Sequence, residues 1–509
     1  VLALALAAAL AAPPARAAWH AREEIPVESP VYRMVSDLAA SHPISFGLTL
    51  TRPWTRADLG RFLDQLLADV PAAADDPAVG RLRRELEPGG GVDGLEPFFA
   101  AEQEDASIEL SPYLRASYAE DRARRRTQRD FRGGLQASFA YGDHTVFFAD
   151  GYVGNVTPGA HGTPDADGSF RSGSSDPTAW FDRAYVTWQS PGFSARVGHT
   201  WLSWGPGLAG TLALSDAAPA LDLLEATVRL PGGGRLQWFL ATLDAVDDAF
   251  LAGHRLAFRA GPSVEMGFSE LVRFDGSSNA PLYLIPVVPY SLLDRRARGL
   301  GPVSGDTLGR RGRNNVMLAA DFSWTWRPGV RLYGELLLDD ASLENERPLA
   351  AGWQAGAHLR RLLASGAWSL RGDYTRVYRY VYAVSHRHDF FHAGFPTGFA
   401  LGADADQFAA RLEWRPDEAW AWGAEWLSAR RGSDPPGTAW QPGDPVPARL
   451  ILTHPVEREG RATFTADWSP SPSVTLSAAG GVTRIFSLDN AFGTDVDGAF
   501  GRASATLRW

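Results

Sequence analysis

Residues 316–329, VMLAADFSWTWRPG, alternate strictly before a Pro-Gly turn. Val316, Leu318, Ala320, Phe322, Trp324 and Trp326 fall on one face of a strand; Met317, Ala319, Asp321, Ser323, Thr325 and Arg327 fall on the other. Side chains of a strand point alternately to its two sides, so one side here is apolar and ends in Trp, while the other carries charge. The same pattern recurs at Phe408, Ala410, Leu412 and Trp414, and again at Ala462, Phe464, Ala466 and Trp468. A soluble sandwich turns such a face into a core, whereas a transmembrane barrel turns it to lipid. Alternation by itself leaves both open.

The connections decide. Eighteen strand-like segments begin near residues 106, 131, 143, 179, 192, 222, 234, 253, 262, 314, 328, 350, 366, 405, 417, 458, 472 and 498. Every second connection is a tight turn, as at Gly142-Asp143, Pro191-Gly192, Gly261-Pro262, Pro328-Gly329 and Pro416-Asp417. The connections between them are long, for example 153–178, 274–313, 379–404 and 430–457. Short turns at one end and long loops at the other are the plan of an outer-membrane barrel, with the turns periplasmic and the loops extracellular. The expectation is an all-β transmembrane barrel of eighteen antiparallel strands over residues 96–509, ending on the aromatic Trp509 through which the barrel-assembly machinery would engage it.

Ahead of the barrel the period is helical. Val1 to Ala12 is an apolar run before Ala15-Arg16-Ala17, which reads as a signal peptide over 1–17 lacking its basic start. Residues 18–95 then read as a small periplasmic helical domain. Ser29-Pro30 opens one helix, Thr55 with Asp58 forms a capping box for a second, and Asp76-Pro77 starts a third. Composition narrows the function. Among 509 residues there are 59 acidic and 49 basic side chains, no Cys and no Lys. No basic footprint for nucleic acid exists, and neither a disulfide framework nor a thiol site is possible.

The chain also carries a punctuated stretch between two strands, with Trp201, Trp204-Gly205-Pro206-Gly207 and Leu214-Ser215-Asp216 ahead of a returning strand from Leu223. A second runs from Asp373 to Pro416 and contains FPTGFALGADAD, ending in Asp404 and Asp406. Together these resemble the Wzi family of outer-membrane capsule-assembly proteins. The sequence departs from it at Ala217, where members often carry Asn, and at Gly394-Phe395-Pro396 and Phe399, where a basic turn and a His are common. The resemblance implies a non-catalytic protein that binds or retains capsular or exopolysaccharide, without a cofactor. Trp201, Trp204, Asp216, Arg124, Arg125, Tyr380 and His388 are the candidate sugar contacts, since aromatic faces stack on sugar rings and Arg or Asp pair with hydroxyls and carboxylates. Gly205, Pro206, Gly207, Ser215, Asp404 and Asp406 carry the family motifs.

Other readings compete. An eighteen-strand barrel is wide enough for a porin-like diffusion channel unless it is plugged. Ser215 beside Asp216 invites a surface hydrolase, but no Gly-x-Ser-x-Gly elbow surrounds it. His386, His388 and His392 could hold zinc, but a polar loop is the favoured reading, since no nearby acid except Asp389 would support a metal. The Arg-rich run Arg122–Arg126 suits lipopolysaccharide phosphates or acidic sugars, or only solvent. Outer-membrane lipid and lipopolysaccharide are thus further expected partners. The chain is expected to fractionate with the outer membrane and to run as a heat-modifiable band on gels; recovery as a detergent-free soluble monomer would end the barrel reading.

Overall fold

A computed structural model describes residues 22–44, 47–86, 98–103, 105–142, 144–155, 178–244, 248–285, 288–293, 314–340, 348–383, 390–434, 437–440, 452–471 and 473–508. The signal-peptide reading over 1–17, Trp509, His386 and His388 lie outside the described residues.

Eighteen long antiparallel strands close into a barrel. They are β1 (Ala106–Asp121), β2 (Arg126–Tyr141), β3 (Thr145–Asn155), β4 (Thr178–Gln189), β5 (Phe193–Thr200) and β6 (Leu221–Arg229). β7 (Arg235–Asp244), β8 (Ala249–Arg259), β9 (Val264–Asp275), β10 (Asn315–Arg327), β11 (Val330–Asp340) and β12 (Ala350–Leu363) follow. β13 (Gly366–Val377), β14 (Ala405–Arg415), β15 (Trp420–Arg431), β16 (Glu457–Ser471), β17 (Val474–Phe486) and β18 (Val496–Arg508) complete the circuit. Closure is made between β18 and β1, where Ala503 faces Tyr118 and Leu507 faces Leu114. A short strand, Phe99–Gln103, pairs with the start of β1 below that seam. The segments read from the sequence therefore stand, with starts displaced by a few residues where turns blend into strands.

The apolar face points outward. Phe464 is 70% exposed, Val482 61% and Trp426 49%, values that only a lipid surround makes tolerable for so many large side chains. Near the tight turns the outer wall carries a belt of aromatic pairs, including Trp368 on Trp414 (5.6 Å), Trp420 on Trp422 (5.2 Å) and Trp188 on Phe193 (5.9 Å). Amphipathic rings favour the boundary between hydrocarbon and water. No described helix is long and apolar enough to cross a membrane.

Three α-helices sit under the turn end: α1 (Val31–Ser41), α2 (Arg56–Asp69) and α3 (Pro77–Leu86). The capping box expected at Thr55 and Asp58 is present. Burial opposes the charge of Asp58, but the guanidiniums of Arg235, Arg61 and Arg229 overcome it and hold the carboxyl below its usual range. Leu38, Leu59, Phe62, Val79 and Leu82 form the helical core. The helices are fastened to the turns by Gly329 N–H to the Ala40 carbonyl (2.8 Å), Ile44 N–H to the Pro262 carbonyl (3.0 Å) and the Arg360–Asp76 pair (2.6 and 2.8 Å).

Between α1 and α2 the chain rises into the lumen. Glu265, on the inner face of β9, accepts the amides of Thr49 (3.0 Å) and Leu50 (2.9 Å) and the Thr49 hydroxyl (2.8 Å). Arg255 of β8, 1% exposed, makes a two-pronged pair with Asp321 of β10 (2.6 and 2.8 Å) and donates to the Thr51 hydroxyl (2.9 Å). Thr51–Arg52 then pairs as a two-residue strand with Ser203–Trp204 from the loop after β5.

That loop is the largest departure from expectation. Residues 201–220 do not stand out from the loop end; they fold back into the lumen. Glu335 accepts the amides of Leu212 and Ala213 (both 3.0 Å), Asp373 accepts that of Leu208 (2.7 Å), and Arg371 donates to the Pro206 carbonyl. Gly205 has φ +126°, and a Cβ on Gly207 would lie 1.7 Å from the Gly210 carbonyl, so both positions need Gly. Trp204 is fully buried, donates to Gln237 (2.9 Å) and packs edge-on against Phe239 (5.4 Å). This corrects the reading of Trp204 as a sugar platform: its ring has no open face. Trp204→Ala should cost about 3–5 kcal/mol of barrel stability, as for a large core ring. Trp204→Phe should recover much of it, read as the temperature at which heat-modifiability is lost. An Ala variant as heat-resistant as the parent would show the ring to be dispensable.

Candidate functional site

The segment between β13 and β14, described at 378–383 and 390–404, also bends inward and locks onto the first. Its Tyr382 hydroxyl donates to the Leu212 carbonyl (2.6 Å) and accepts from the Phe399 amide (3.0 Å). Leu202, Trp204, Leu212, Leu214, Phe239, Tyr382, Phe390 and Phe399 make one apolar core inside the barrel. Ser215, in the middle of this interlock, donates its hydroxyl to the Gly398 carbonyl and accepts the Ala217 amide (3.1 Å). It shapes a turn. His199 pairs with Asp222 (2.8 Å). Both ring nitrogens of His392 face backbone carbonyls, of Leu243 (2.9 Å) and Ala220 (3.1 Å), so this ring is engaged in holding the loop rather than offered to a metal.

Above this plug, at the loop end, lies a cavity of about 170 Å³, of the order of one sugar ring. Three loops build it. The 378–404 loop supplies Arg379, Tyr380, Gly402 and Asp404; the loop after β15 supplies Ser433, Asp434 and Thr438; the turn after β17 supplies Asn490, while Arg431 comes from the end of β15. The walls hold one another. Arg379 forks onto Asp434 and lies over the Tyr380 ring at 4.7 Å. One oxygen of Asp404 accepts the amide (3.1 Å) and hydroxyl of Thr453, while its Oδ1, although buried, has no partner among the described residues. Asn490 donates to the carbonyls of Arg431 (3.0 Å) and Pro455 (2.8 Å). Gly432 is required beside Asp404, since a Cβ there would meet its carboxylate at 1.7 Å.

Backbone geometry fits the crowding. Tyr380 and Tyr382 have φ of 70° and 67°, Asp404 52° and Asn490 57°, a concentration of left-handed residues around one cavity. Such backbones persist only where surrounding contacts enforce them, and they gather at functional sites. Chemically the lining offers guanidiniums, carboxylates, an amide, hydroxyls and a phenol ring. That is a set able to meet sugar hydroxyls and a uronate.

The sequence-derived candidates divide accordingly. Tyr380 and Asp404 line the cavity, although Tyr380 is only 4% exposed and has the Arg379 guanidinium over its ring. Arg124 lies nearby but is taken up by Glu457 (3.0 Å) and Glu459 (2.8 Å). Burial works against its charge, and those two carboxylates more than restore it. Glu457 in turn sits 3.8 Å from Arg431 and accepts the Asp489 amide (2.7 Å). Arg125 is exposed with φ 52°, in the β1–β2 turn. Trp201 is half-buried, its indole N–H on the Ala218 carbonyl (3.0 Å), and Asp216 is exposed; both belong to the other loop. Asp406 is a strand residue, not a loop acid: on the outer face of β14 it is gripped by Arg430 (2.6 and 2.8 Å) and Tyr374 (3.0 Å). His388 falls outside the described residues. Sequence reasoning missed Arg379, Arg431, Asp434 and Asn490, which no motif in any one loop marks.

Comparisons with known proteins follow the same lines. The family model for capsule assembly protein Wzi matches residues 110–496. No protein of curated function matches the chain by sequence. Among solved structures, the chain is similar to Escherichia coli Wzi, an outer membrane protein involved in group 1 capsule assembly and described as a carbohydrate-binding β-barrel. The two share 14% identity and a TM-score of 0.64 over 95% of this chain and 99% of that one, which establishes the common barrel. The Pseudomonas aeruginosa outer membrane protein OpdK aligns at 11% identity and a TM-score of 0.45, covering 80% of this chain and 100% of its own. With the family model matching residues 110–496, most of the chain, and the barrel fold shared with E. coli Wzi, this chain belongs to the Wzi capsule-assembly family of outer-membrane β-barrels.

Proposed function

We propose that the chain binds surface polysaccharide at the cavity between its three loops and retains it there during capsule assembly, without chemistry. The observation that carries this is the cavity itself, a polar concavity lined by Arg379, Asp404, Arg431, Ser433, Asp434 and Asn490. In this reading the loops face the exterior and the helices of residues 18–95 face the periplasm. The E. coli relative's description as a carbohydrate-binding barrel supports the same role. The plugged lumen argues for this and against the diffusion channel, because two inward loops and residues 49–52 meet the wall at the middles of β8 to β13.

Arg431 is the wall group easiest to remove, its side chain being 42% exposed and its one ion pair among the described residues, to Glu457, a long 3.8 Å. Arg431→Gln should weaken binding of capsular oligosaccharide by about tenfold or more, the worth of one charge-assisted hydrogen bond. Asn490→Ala should act in the same direction by loosening the wall. Calorimetry on detergent-solubilised protein checks this, with heat-modifiability as the control for folding. Unchanged affinity in both variants would remove the cavity from the binding surface. In planar bilayers the full chain should show no steady conductance; porin-sized openings would favour the channel instead.

A further inference from the structure

On the outside of the barrel the loop end is not uniform. Along β7 to β10 the chain covers its own wall: residues 277–284 and 288–293 lie over outward-facing Ala252, Val272 and Phe274, with Tyr283 and Tyr290 packed among them. Glu270, also outward, is sealed beneath by the amides of Tyr290 (2.7 Å) and Ser291 (2.9 Å). Along β15 to β17 the wall stays open, and it ends in the exposed arginines 430, 458 and 484. In register across one rung stand Arg376 of β13, Asp406 of β14, Arg430 of β15 and Arg458 of β16; Arg484 of β17 lies one residue pair lower. All face outward, on the same side of their strands as Tyr374, Phe408, Trp426, Phe464 and Val482.

Their height is fixed by the strands. From Trp468 of the turn-end aromatic belt to Arg458 is ten residues along β16, which at about 3.3 Å per residue and a tilt near 40° gives about 25 Å. That is the thickness of the apolar band of an outer-membrane barrel, so the arginines stand at the opposite hydrocarbon boundary. The charge there is unbalanced. Arg376 and Arg430 share Asp406. Arg458 and Arg484 are exposed and have no ion pair among the described residues; Arg484 lies only over the ring of Phe486 at 4.7 Å, and it forms no pair with Asp497 across the β17–β18 ladder.

We propose that this rung is a binding site for the phosphorylated headgroup of the outer-leaflet glycolipid, lipopolysaccharide. The assignment rests on the loops facing the exterior, as in the functional reading above, but not on the cavity. Guanidinium forks match phosphate oxygens, and their long stems lie along the apolar wall while the charged ends reach the headgroup layer. Arg458 and Arg484 supply the free forks. Arg430, its side chain half exposed and gripped by Asp406, flanks them, while Arg376 lies buried behind that carboxylate. The acyl chains of the same lipid then lie against the small outward side chains below, Ser428, Gly460 and Ala462.

The test uses the full purified chain in detergent and lipid A, which carries no polysaccharide, so its outcome is independent of glycan retention at the cavity. Bisphosphorylated lipid A should remain bound in native mass spectrometry, and R458Q/R484Q should weaken it by about thirtyfold, the effect of two arginines at an anionic lipid surface. R458K/R484K should fall between wild type and the Gln pair, keeping the charge and losing the fork. Wild-type protein should bind dephosphorylated lipid A as poorly as the Gln pair binds the intact form, and phosphatidylglycerol should not displace lipid A. Equal binding of phosphorylated and dephosphorylated lipid A overturns the proposal. So does displacement by phosphatidylglycerol, which would reduce the rung to general anion attraction, or unchanged affinity in a heat-modifiable R458Q/R484Q barrel. If the Gln pair does not assemble, the wild-type comparison of the two lipid A forms decides alone.

Discussion

The structure depends on carboxylates that face inward and accept backbone amides. Glu265 takes two from residues 49 and 50, Glu335 two from residues 212 and 213, and Asp373 one from residue 208. An irregular segment inside a barrel has amides that no strand can satisfy, and a carboxylate on the wall is a poor neighbour for anything apolar. Each cancels the other's cost. The arginines complete the scheme, with Arg255 joining Asp321 to the Thr51 hydroxyl and Arg371 reaching the Pro206 carbonyl. Without these pairings the loops would have no reason to stay in the lumen, and the cavity above them would lose its floor.

This arrangement shows why the barrel could be read from the sequence and the plug could not. Alternation at Val316–Trp326 and tight turns such as Pro328-Gly329 are local signals, and local signals place strands and count them. The inner face of those same strands read only as mixed charge. Asp321, Glu335 and Arg255 look alike whether they meet water or a buried amide. Trp204 illustrates the ambiguity: a large ring in a Gly/Pro loop fits exposed recognition as well as packing, and only the strand pairing with Thr51, far away in the chain, separates the two. The helices were legible for the same local reason as the strands, since Thr55 and Asp58 form their capping box within four residues.

The candidate site was legible in part. Tyr380 and Asp404 lie in a stretch that resembled the family, and both reach the cavity. Arg379, Asp434 and Asn490 come together across three loops through bonds such as Arg379 to Asp434 and Asn490 to Pro455, with no pattern in any one loop. Asp406 misled for a different reason. Its Gly-rich neighbourhood suggested a turn acid, yet the strand has already begun at Ala405 and carries the side chain to the outer wall.

The pairing of Thr51–Arg52 with Ser203–Trp204 has a consequence for how the molecule is made. The N-terminal segment leaves the chain first, but its partners Arg255 and Glu265 come 204 and 216 residues later. Its bonds are therefore strongly non-local, and such contacts form late. Strands β8 to β10 must exist before residues 49–51 have anything to hold. The seam between β18 and β1 must likewise wait for the last residues of the chain. Insertion of the plug and sealing of the wall thus converge at the end of folding. A barrel that sealed first would have to admit residues 47–52 through its turn end, where the helices they connect would then close behind them.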